Sequence, residues 1–124
     1  MVPEMRAAAD KLILDVANLQ YIVPLLGRTG AQRRVPGGWT VHQVLGHIAL
    51  SLGHNATAVD ELLAGNAADS GSVNRDALNA QQAVEAARMP LTQVVALFSE
   101  HRDRCIERYG RVGEFELAQP AVGE

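Results

Sequence analysis

The run from Gly37 to Gly65, GGWTVHQVLGHIALSLGHNATAVDELLAG, constrains this chain most, because a helix start, a helix face and a helix stop all fall within it. Thr40 and Gln43 form a T-x-x-Q capping box. The Thr40 hydroxyl can accept from the Gln43 N–H, and the Gln43 side chain can reach back to the Thr40 N–H. Trp39 and Val44 flank the cap at the spacing of a hydrophobic staple. The cap alone contributes about 1 kcal/mol. Val41, Val44, Leu45, Ile48, Leu52, Val59, Leu62 and Leu63 then recur with helical spacing and make one apolar stripe. Gly65 suits the C-terminal stop.

His47 lies beside that stripe, about 120° from its centre at 100° per residue. His54, seven residues on, falls nearly above it, and His42 points elsewhere. An imidazole on the edge of a buried face can be a metal ligand, an acid or base, or a boundary residue bonded to a neighbour.

The length suits one domain spanning 1–124. Half the residues are apolar (48%) with few aromatics, which favours helices over sheets. The net charge of −3 and the scattered arginines give no basic patch, so nucleic acid is not an expected partner. Arg102, Arg104, Arg108 and Arg111 alternate with Glu100, Asp103 and Glu107, the pattern of a solvated helix face. The single Cys105 excludes an intramolecular disulfide framework. No segment is apolar for long enough to span a bilayer, and the first residues lack signal-peptide character. A cytoplasmic protein is the expectation, with no membrane partner.

In chain order, Pro3 suits the first turn of a helix from Glu4. Met5, Ala8, Leu12, Val16, Leu19, Ile22 and Val23 keep its period, and Pro24 is expected to end or bend it near Tyr21 to Val23. Gly27 to Gly38 reads as a loop, in which Arg33 and Arg34 could bind an anion or simply be solvated. Asn66 to Asn74 reads as a second loop. Arg75 to Arg88 is weakly amphipathic. Met89-Pro90 interrupts it, with Pro90 suited to position N1 of a fresh helix. Leu91, Val94, Val95, Phe98, Cys105, Ile106 and Tyr109 carry this third helix on to Gly110. His101 and Cys105 share a side and could begin a zinc site, but two ligands do not make one, and Cys105 also fits the apolar stripe. Glu100 and Glu107 would matter if they turned toward His47. The remaining tail holds Phe115 and Leu117 but is too short and too rich in Gly and Pro for a stable helix. The expected fold is all-α: an antiparallel bundle of three long helices, the third broken near Pro90, plus a short C-terminal tail.

Gly38-Trp39-Thr40-Val41, followed by Val44-Leu45-Gly46-His47-Ile48-Ala49, resembles the second-helix signature of the DinB-like superfamily. The nearest branch is the N-terminal domain of the mycothiol-dependent maleylpyruvate isomerase family. The similarity extends weakly to Asp76-Ala77-Leu78-Asn79, to the Met89-Pro90-Leu91 restart and to the arginine-rich helix ending at Tyr109. The resemblance implies a four-helix bundle with a divalent metal, most often zinc, in its core. It implies His47 as one ligand, and mycothiol or another low-molecular-weight thiol as cofactor. The family's other ligands sit four residues apart on a fourth helix, and no E-x-x-x-H or H-x-x-x-H follows His47 here. A chain truncated at its C-terminus relative to the family is therefore expected.

A bundle helix buries about 500 Å², or roughly 12 kcal/mol by area transfer as an upper figure. Leaving its groove bare would expose a large apolar patch. The chain is then a fragment, a homodimer covering the groove, or a compact three-helix core. Two functions compete. One is a metal-binding relative of thiol-dependent isomerases and transferases, acting on a small-molecule substrate or inactive as this chain alone. The other is a non-enzymatic helical interaction module.

Overall fold

The computed structural model describes residues 1–66 and 75–118, and its elements are all helices: α1 (Pro3–Ala31), α2 (Val41–Leu63), α3 (Arg75–Arg88), α4 (Leu91–Tyr109) and α5 (Glu114–Leu117). The all-α reading holds, as does the break before Leu91. Most of the expected Asn66–Asn74 loop, and the end of the tail from residue 119, lie outside the described residues.

The expected end of the first helix is corrected. The chain stays helical through Pro24 and departs only at Gly27, where φ is 64° and ψ is −177°. Proline removes one donor but keeps a helical φ, whereas Gly27 tolerates a left-handed φ that a side chain would oppose. Helix resumes over residues 28–31, so the expected Gly27–Gly38 loop shrinks to residues 32–40. Two smaller corrections follow. Pro90 is the N-cap of α4 rather than its first residue. In the tail, residues 114–117 close one helical turn, with the Glu116 carboxylate accepting the Gly113 N–H at 2.9 Å.

α2 starts and stops as read. The Thr40 hydroxyl accepts from the Gln43 N–H at 3.1 Å, and Gln43 Oε1 accepts from the Thr40 N–H at 2.9 Å. At the other end, the N–H groups of Gly65 and Asn66 bond the Leu62 and Glu61 carbonyls, which is a Schellman closure.

Val16 and Val23 of α1, Leu45 and Ala49 of α2, and Val94 and Phe98 of α4 form the core. Burying a ring such as Phe98 contributes roughly 1.5–3 kcal/mol. α1 runs antiparallel to α4: Met1 reaches Gly110, and the Gln20 amide donates to the Val95 carbonyl and Ser99 hydroxyl. α2 and α4 run in the same direction. His42 meets Met89 at one end, Leu52 meets Cys105 midway, and Asp60 meets Arg108 at the other end. α3, which precedes α4 in the chain, crosses α2 at Gly46. A Cβ on Gly46 would collide with the Ala86 side chain and lie 3.0 Å from the Ala86 Cα.

Candidate functional site around His47

The site begins with a short loop that aims one ring. The Val35 N–H bonds the Trp39 carbonyl and the Val41 N–H bonds the Arg33 carbonyl, both at 2.8 Å. The Arg34 guanidinium donates to the Gly38 carbonyl at 2.5 Å. Arg34 thus closes the loop and is not a free anion ligand, while Arg33 stays exposed. The loop presents Trp39 to α2, and its indole meets the His47 imidazole edge to face, with centroids 5.4 Å apart and planes at 81°.

His47 is half-buried. Its Nδ1 is the one buried side-chain polar atom among the described residues that has no hydrogen-bond partner. A buried polar atom left unpaired costs roughly 1–3 kcal/mol, so its presence calls for a reason. One helical step away, Ile48 and Leu52 line an apolar groove of about 430 Å³ with Leu12, Val16, Leu19 and Ile22 of α1, and Asp15 and Asn18 are its polar members. The backbones of α1 and α2 approach closely at few points, and their side chains meet in the core beneath the groove. The outer strip of α1 is also uncovered: Leu14, Tyr21 and Leu25 are 61%, 74% and 71% exposed.

The other residues singled out from the sequence go elsewhere. His54 is exposed and does not join His47; it lies close enough to His101 for their charges to interact. The His101 ring rests against Gly53, and Nδ1 takes a bond from Arg104 at 3.1 Å. Burial, reinforced by the Arg104 charge, lowers the His101 pKa below histidine's usual range. Cys105 is fully buried and donates to the Leu52 carbonyl, and burial raises its pKa. It belongs to the core and forms no metal pair with His101. Glu107 binds Arg108 and Arg111, and exposed Glu100 acts on His101. Neither carboxylate is drawn to His47.

His42 has a role that the sequence reading did not assign. Its Nε2 donates to the Met89 carbonyl at 2.5 Å, tying the start of α2 to the break before Pro90. The two residues are 47 apart, and no local signal links them.

The described residues contain no group of three His, Cys, Asp or Glu side chains able to hold a metal ion. His47 supplies a single donor where a catalytic zinc takes three from protein. The residues described therefore do not fit a complete metal centre.

The sequence model of the family described as the mycothiol maleylpyruvate isomerase N-terminal domain matches residues 23–123. The chain belongs to that family, and the helical fold is consistent with the DinB-like superfamily. No curated protein and no solved structure matches it.

Proposed function

From that membership we propose that this chain is a metal-binding DinB-like domain of thiol-dependent isomerase or transferase type, in which His47 Nε2 is one donor to a divalent metal. The observation that carries the reading is the His47 ring itself: half-buried, with its Nδ1 buried and unpaired, and packed against Trp39. Zinc suits an imidazole donor best. The remaining donors come from outside the described residues, on this polypeptide or a second one. Mycothiol or a related small thiol would be the cofactor, as the family description suggests, with a small molecule as substrate. The setting would be cytoplasmic; no helix among the described residues is long and apolar enough to cross a membrane.

The test is zinc content after exposure of metal-free protein to zinc chloride. Wild type should retain zinc, and His47→Ala should bind it at least tenfold more weakly. Equal zinc in the two proteins would overturn the reading.

A second reading is favoured by the bare groove and the exposed α1 strip: a non-enzymatic module that pairs with a second copy of itself. It predicts a dimer in sedimentation, free of metal and indifferent to His47→Ala.

A further inference from the structure

We propose that Trp39 is the positioning residue of His47. Its indole face accepts the Nδ1–H proton, which fixes the neutral imidazole in the tautomer that leaves the Nε2 lone pair bare. Three observations carry this. The Nδ1 atom is buried and no nitrogen or oxygen pairs with it. Among the described residues the one ring packed on His47 is the Trp39 indole, at a distance and angle that place the edge of one ring on the face of the other. Trp39 itself is half-buried, on the loop that leads into α2. Of the two rings, the imidazole is the one whose buried edge lacks a partner, and a π face is the acceptor within its reach.

The backbone that carries the indole is tied down on both sides. Trp39 is pinned through its own carbonyl by the Val35 N–H, and the next residue is the Thr40 cap. Nitrogen ligands of metals are usually held by a carboxylate or carbonyl on the opposite ring nitrogen. Here an aromatic face takes that place. The inference deepens the metal-donor reading of His47, yet the tautomer is a property of the metal-free protein and is tested apart from it.

The experiment is a long-range proton–nitrogen correlation spectrum of the four histidines at mildly alkaline pH, with His47 identified by its loss in His47→Gln. Wild type should show the proton on Nδ1 and a bare Nε2. Trp39→Phe keeps a π face and should keep that signature, whereas Trp39→Leu should give a mixture of both tautomers. A wild-type His47 carrying its proton on Nε2 overturns the proposal, as does a folded Trp39→Leu with an unchanged tautomer. If Trp39→Leu does not fold, the wild-type and Trp39→Phe spectra decide. If wild type binds no zinc, the metal reading falls and the tautomer assignment still stands or falls on the spectra.

Discussion

The seam between α2 and α4 and the groove between α1 and α2 share a helix, yet they are built from different materials. The seam mixes apolar packing with directional bonds. Phe98 and Cys105 are fully buried, the Asn55 amide donates to the Tyr109 hydroxyl at 2.7 Å, and Arg108 meets Asp60 at 2.9 Å. The groove is almost wholly aliphatic, and no side-chain bond among those described crosses it. Apolar area drives burial without direction, whereas hydrogen bonds across an interface fix its register. One surface of α2 is thus matched to a single neighbour within the chain. The other is apolar and, along the groove, only partly covered.

That contrast can be broken or sharpened by substitution. Phe98→Ala should cost most, roughly 3–5 kcal/mol in urea unfolding, because a fully buried ring leaves a cavity. A loss below 1 kcal/mol would mean the seam is looser than it looks. Gly46→Ala should cost roughly 1–3 kcal/mol, since the new methyl meets the Ala86 backbone as well as its side chain. Asn55→Ala should cost about 1 kcal/mol by removing the bond to Tyr109, read as a lower midpoint with an unchanged denaturant slope.

A pH scan tests the seam without substitution. His101 is lowered by burial and then by Arg104, so the unfolded chain protonates first as pH falls. The stability that the neutral ring contributes is present above 6.5, the usual value, and is lost as pH drops from there toward the folded value. The unfolding midpoint should decline over that window, and His101→Gln should flatten the decline. The smallest effect belongs to the outer strip of α1. Tyr21→Ser with Leu25→Ser should change stability by no more than about 0.5 kcal/mol if that strip faces water. A larger loss, or a fall in sedimenting mass, would show that a second chain covers it.

How much of this was legible in the sequence follows from distance along the chain. The Thr40–Gln43 box was readable because its partners are one turn apart, and Cys105 was readable as core because its stripe is local. Pro24 misled because proline's cost to a helix is one bond and a steric push, which a long amphipathic helix can absorb, while Gly27 gave no comparable warning. His42 on Met89, and Gly46 against Ala86, depend on a crossing that only the assembled helices create. At His47 the sequence supplied the residue and the family its expected role. The Trp39 contact and the unpaired Nδ1 needed coordinates.

The shared direction of α2 and α4 also sets how this protein must fold. In a helical hairpin, pairing begins beside the turn and zips outward through ever more distant residues. Here the separation stays near fifty throughout: 47 from His42 to Met89, 53 from Leu52 to Cys105, 48 from Asp60 to Arg108. No end of the seam offers a cheap first contact, so the closure entropy of a long loop is met before any of it forms. Folding should therefore run slowly for a helical domain of this size, because contacts distant in sequence set the rate.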